Sequence, residues 1–117
     1  MVKESLIDKK AFEFAIRVVN LYNYLCDNKR EFVMSKQLLR SGTSVGANLR
    51  EATYAQSDAD FIHKNSIALK EISETIYWLD LLHATNYLNA KEYEDVHNDA
   101  VEIIKILTTI VKRSKAK

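Results

Sequence analysis

Proline is absent, glycine occurs only at Gly42 and Gly46, and Cys26 is the one cysteine. Sheet-rich folds need turn chemistry every few residues, so this scarcity of breakers argues against them and suits long helices. A lone cysteine excludes a disulfide framework and a cysteine-rich metal site, and it fits a reducing compartment. Met1-Val2-Lys3-Glu4 lacks the apolar core of a secretory signal, and no apolar run approaches membrane-spanning length. The expectation is a cytoplasmic protein. Charge of one sign is also missing. The formal net charge is +1, so no global field draws the whole molecule to nucleic acid or to a membrane.

What is there is 47% hydrophobic and 28% charged residues over 117 positions, which suits one domain, 1–117, with a real core. Ala11, Phe14, Ala15, Val18, Leu21, Tyr22 and Leu25 recur at three- and four-residue steps and predict a first helix over about 6–25, with Ser5 and Asp8 as its start signal. A second helix over 33–55 begins between Glu31 and Ser35, with Met34, Leu38, Ser41, Val45, Leu49 and Ala52 as its inner stripe. Each glycine inside it costs about 0.5–1 kcal/mol relative to alanine. Gly42 and Gly46 therefore signal a close neighbour, either within the bundle or at a groove between subunits. Ser57 with Asp60 opens a third helix over 58–85, and Asn89 with Glu92 forms the capping box of a fourth over 90–114. Short links force neighbours to run antiparallel. The expected fold is an all-α, up-down-up-down four-helix bundle.

On a helical wheel the apolar residues of the third helix fill roughly 220°, far beyond the stripe a surface helix needs. The surplus suggests self-association, with Ile67, Trp78 and Leu82 as the contact; the alternative is an indole lying flat on its own bundle. Polar residues interrupt the arc. Glu71 falls between Trp78 and Leu82. Arg40, Ser44 and Glu51 share one edge of the second helix, with Asn48 just inside it. Counting outward from the Gln56–Ser57 turn brings Arg40 near Ile72 to Glu74, so Arg40 is expected to pair with Glu71 or Glu74, within the chain or across a subunit contact.

Chemistry is tested mostly in the negative. Asp60/His63, Asp80/His83 and Glu94/His97 have the acid-x-x-His spacing of di-metal bundles, with Asp27 and Glu31 as further carboxylates, but they lie off the core stripes. A metal-dependent bundle enzyme is thus the lesser reading. There is no glycine-rich phosphate loop, no Ser-His-Asp order and no Arg four to six residues ahead of a His. The chain is expected to be no enzyme, without cofactor or small-molecule substrate. Lys112, Arg113, Lys115 and Lys117 form a basic end that either offsets the helix dipole or meets a polyanion.

The stretch Gln37-Leu38-Leu39-Arg40-Ser41-Gly42-Thr43-Ser44-Val45-Gly46-Ala47-Asn48-Leu49-Arg50-Glu51-Ala52 resembles the signature of bacterial four-helix-bundle proteins related to those encoded in ribosomal RNA intervening sequences. Asp60-Phe61-Ile62-His63-Lys64, Ile67-Ala68-Leu69-Lys70-Glu71, Glu74-Thr75 and Tyr77-Trp78-Leu79 resemble it as well. The resemblance implies a homo-oligomer in the form of a ring-like pentamer. It also implies kinship with the accessory protein of diversity-generating retroelements, which partners a reverse transcriptase and binds nucleic acid. It implies no enzymatic activity. Arg40, Ser44, Asn48 and Glu51 match the polar signature of that family and are read, with Glu71 and Glu74, as structural or interface residues. An interaction scaffold, associated with RNA or an RNA-bound protein, is the resulting expectation.

Overall fold

The computed structural model describes residues 5–116 as four helices, α1 Leu6–Asp27, α2 Met34–Thr53, α3 Asp58–Ala84 and α4 Ala90–Lys115. Three of the four starts follow the expected chemistry. Ser5 and Ser57 accept the backbone N–H three residues ahead, at 3.2 Å and 3.0 Å. Asn89 and Glu92 form a reciprocal box at 2.8 Å and 2.9 Å. Asp60 departs from the box pattern, since its carboxylate accepts from Gln56 N at 3.4 Å.

The start of α2 is built differently. Val33, at the cap position, gives no side-chain bond. Glu31 takes over: one carboxylate oxygen accepts from Val33 N and Met34 N, both at 3.1 Å, and the other from Ser35 N at 2.7 Å. Ser35 Oγ returns a bond to the Glu31 carbonyl at 2.8 Å. The side chain is 6% exposed. Burial alone would push its carboxyl up, but the N–H groups of Ser35, Met34 and Val33 favour the charged form and leave the pKa lowered. The preceding link turns at Arg30, which adopts φ 55°. The link between α3 and α4 turns at Asn86, with φ 69°. Asn tolerates this left-handed region better than most residues.

The helices stand at the corners of a square. α1 packs on α2 and α4, α3 packs on the same two, and neither diagonal pair meets. Phe14, Leu25, Leu38, Ile72, Leu79, Leu82, Leu88 and Leu107 are fully enclosed in the core. Each contributes about 1.5–3 kcal/mol by leaving water. The side between α1 and α4 is the most sparsely packed, and ions tie it. Lys10 pairs with Glu102, and Arg17 pairs with Asp99 at 2.9 Å while donating to the Asp95 carbonyl at 3.3 Å.

Both glycines of α2 face α1 of their own chain. A Cβ on Gly42 would lie 2.8 Å from the Val18 methyls, whereas one on Gly46 would meet the Ala11 carbonyl at 3.6 Å, an ordinary contact. The close neighbour that the glycines signal is therefore the chain's own first helix. Among the described residues no helix is long and apolar enough to cross a membrane.

Candidate interaction site on α1, α2 and α3

Arg40, Ser44, Asn48 and Glu51 recur along one edge of α2, and the packing aims that edge at α3. The register is fixed from inside by Ser41 and Thr75, whose buried hydroxyls lie 2.9 Å apart. It brings Arg40 to Glu74, with Nη2 to Oε2 at 2.9 Å, one of the two partners expected. Trp78 Nε1 donates to the same oxygen at 3.1 Å. At the other end Lys64 Nζ meets Glu51 Oε1 at 2.8 Å, and that carboxylate raises the Lys64 pKa. Ser44 and Asn48 turn inward along their own helix, donating to the carbonyls of Arg40 at 2.7 Å and Ser44 at 2.9 Å. Asn65, 2% exposed, likewise bonds the Phe61 carbonyl at 2.8 Å and gives no bond to Asn48. Between the two ion pairs, Glu71 keeps Oε2 buried and without a hydrogen-bond partner among the described residues.

The apolar contact expected on α3 needs correction. Leu82 is 0% exposed and wholly spent inside its own bundle, so it has no surface for a second chain. Ile67 and Trp78 are half-buried, and Trp78 packs against the core. α3 uses its wide arc because it packs densely on both α2 and α4, whereas α1 and α4 each have one sparse side. The large apolar residues α3 leaves outside are Phe61, 36% exposed, and Tyr77, 58% exposed and edge-on to Trp78 with centroids 5.1 Å apart.

The larger exposed stripe lies on α1, where the sequence reading placed none. Phe12, Ile16 and Val19 are 52%, 48% and 40% exposed. Their four- and three-residue steps were the available signal, on the side of the helix away from Phe14 and Val18. Beside them runs a groove of about 200 Å³ between α1 and α2, floored by Ala15, Thr43, Gly46 and Ala47. Arg50 walls it, its guanidinium 5.5 Å from the centroid of Phe12. Tyr54, 73% exposed, lies past the end of α2 and lines a shallow hollow with Arg50, Glu51, Asp60 and Lys64.

Two of the three histidines in acid-x-x-His spacing, His83 and His97, are arranged for stacking. Tyr93 lies between His83 and His97, with centroids at 4.5 Å and 4.9 Å. Its hydroxyl donates to Asp80 Oδ1 at 2.6 Å, which pushes the phenol up to about 12. His83 Nδ1 donates to the Leu88 carbonyl at 3.0 Å. Among the described residues no three His, Cys, Asp or Glu side chains are grouped to hold a metal ion. Glu31 is engaged as the α2 cap and Asp60 by the Gln56 backbone. Lys112, Arg113 and Lys115 are exposed on the last turn of α4, and Lys117 lies outside the described residues.

Fold and seam together define a small antiparallel four-helix-bundle protein with a polar ladder between its second and third helices. The family model of the 23S rRNA-intervening sequence protein matches residues 3–109, and the chain belongs to that family. A crystal structure of a protein of unknown function from the S23 ribosomal protein family of Bacteroides thetaiotaomicron is 57% identical to it. That alignment covers 92% of this chain and 99% of the other, with a TM-score of 0.90. No curated protein matches.

Proposed function

We propose that this protein is a non-catalytic, cytoplasmic interaction scaffold that acts as a homo-oligomer, a ring of five copies by resemblance to its family. The observation that supports the reading most is where the exposed apolar residues fall. Of the nine large hydrophobic side chains most exposed among the described residues, seven belong to α1, its link to α2 or the end of α2: Leu6, Phe12, Ile16, Val19, Phe32, Val33 and Tyr54. Monomeric proteins seldom leave large apolar patches facing water. Light scattering across a concentration series tests the reading. A multiple of the single-chain mass is expected, and a monomer at all concentrations would overturn it.

A second reading, a nucleic-acid-binding accessory factor akin to the retroelement protein that works with a reverse transcriptase, draws on the exposed Lys112, Arg113 and Lys115. It predicts RNA retention that weakens steeply with salt and falls when these three residues are neutralised. Retention insensitive to both would remove it.

A further inference from the structure

The two ends of the bundle are finished differently. Where α1 and α3 end, Leu25 and Leu88 are enclosed and close the core. At the opposite end, where α1 and α3 begin and α2 and α4 finish, the core stays open. A cavity of about 620 Å³ lies there, lined by residues of all four helices. Small-molecule sites fall in this size range, and the space between the helices of a bundle is one of their usual places. We propose that this cavity binds a small apolar amine in its ammonium form that carries a second hydrogen-bond donor. Binding there neither needs nor excludes the assembly proposed above.

Ile7, Leu49, Ala52, Phe61 and Ile110 give the cavity an apolar lining that suits a hydrocarbon or aromatic body. Among the polar groups around it Asn65 is the most enclosed, at 2% exposed. Its Nδ2 is spent on the Phe61 carbonyl at 2.8 Å, and its Oδ1 accepts no hydrogen bond from the described residues. Unlike Glu71 Oε2, that oxygen is not sealed off, and the cavity Asn65 lines is its opening. Enclosed acceptors rarely go without a donor, so the ligand is expected to bring one.

Charge sets the other end of the ligand. Asp8 and Asp58 stand on the wall, and no lysine, arginine or histidine does. Thr53 Oγ1 donates to Asp8 Oδ2 at 3.2 Å, but neither carboxylate has an ion-pair partner among the described residues. Helix dipoles nearly cancel, since the positive ends of α1 and α3 stand beside the negative ends of α2 and α4. The other charges of this end lie outside the cavity. Lys64 is held by Glu51 at 2.8 Å, Asp60 by Gln56 N at 3.4 Å, and Arg50 stands over Phe12. His63, Lys9, Lys112, Arg113 and Lys115 are exposed, where water and salt screen them. A wall rich in acceptors and carboxylates favours a cation over an anion.

Tryptamine is the probe, because it sets an ammonium and an indole N–H at opposite ends of an apolar ring. Calorimetric titration of the full chain should give saturable binding, with NMR amide shifts centred on the cavity residues. Indolepropionate, which reverses the charge, should not bind. The indole-N-methyl derivative of tryptamine lacks the second donor and should bind about fivefold more weakly. Asp58→Asn, at an exposed position, should weaken tryptamine about threefold while helical circular dichroism stays unchanged. Asn65→Leu keeps the volume, removes the acceptor, and should bring tryptamine and its N-methyl derivative to equal affinity. If that variant does not fold, the comparison of the two amines on the wild-type protein decides alone. Absence of saturable binding, or equal binding of indolepropionate, would overturn the proposal. Equal binding of the two amines by the wild-type protein would overturn it as well, since the second donor would then meet nothing. A gap between them that survives in Asn65→Leu would overturn the assignment of that donor to Asn65 Oδ1.

Discussion

Arg40 and Trp78 come from different helices and donate to one oxygen, Glu74 Oε2, at 2.9 Å and 3.1 Å. The guanidinium fixes the carboxylate, and the carboxylate fixes the indole. Trp78 thereby reports on the packing of α2 against α3 although it belongs only to α3.

Removing that hub should show in both stability and light. Glu74→Ala deletes a half-exposed ion pair, worth about 0.2–1 kcal/mol. It also strands the indole N–H, worth about 1 kcal/mol more. Glu74→Gln keeps an acceptor and should lose less. Urea denaturation followed by the fluorescence of the single tryptophan measures both; equal losses in the two variants would contradict the shared-acceptor account.

The two glycines of α2 should respond in opposite directions to the same change. Gly42→Ala drives a methyl into the Val18 side chain, which is fully buried and stiff about its first torsion. Overpacking of this kind costs about 1–3 kcal/mol, beyond what helix propensity returns. Gly46→Ala meets only ordinary contacts and should stabilise by about 0.5–1 kcal/mol. Thermal melts of the two variants decide it.

Glu31 ties stability to acid. Its folded pKa is lowered, so its contribution is complete above the unfolded value of about 4.3 and is lost as pH falls through the folded value. Glu31→Gln should be less stable at neutral pH and show a flatter stability profile below about pH 4.3. A parallel decline in both proteins would assign the acid sensitivity elsewhere.

Tyr93 works at the other end of the scale. With its phenol at about 12, what it gains from Asp80 is present below the ordinary tyrosine value of about 10 and is lost as pH rises toward 12. Ultraviolet titration should find Tyr93 ionising late, at about 12, and Asp80→Asn should lower that value, with burial still holding it above the ordinary tyrosine value.

Much of this molecule was legible because helix periodicity and caps are local. Ser5, Ser57 and Asn89 mark three starts, and the expected helix boundaries lie within two residues of those found. The Arg40–Glu74 pair was legible too, since a short turn fixes the register between two antiparallel helices. Leu82 was misjudged because a wheel counts apolar residues without knowing how closely each neighbour packs, and α3 packs densely on both of its own. The Phe12–Ile16–Val19 stripe went unread because the stronger inner stripe of the same helix claimed the periodicity. Glu31 was invisible as a cap because long carboxylates seldom serve there, and only the exposed turn at Arg30, with φ 55°, brings it to the N–H groups of α2.

The ionic side joining α1 and α4 has one more consequence. The α2–α3 side carries the exposed Arg40–Glu74 and Lys64–Glu51 pairs over dense packing, whereas the sparsely packed α1–α4 side leans most on Lys10, Arg17, Asp99 and Glu102, which water and salt reach. Breathing of the native state is therefore directional. The first and last helices part along that line before the others yield, so hydrogen exchange should quicken there as ionic strength rises while the polar ladder of α2 and α3 stays shut.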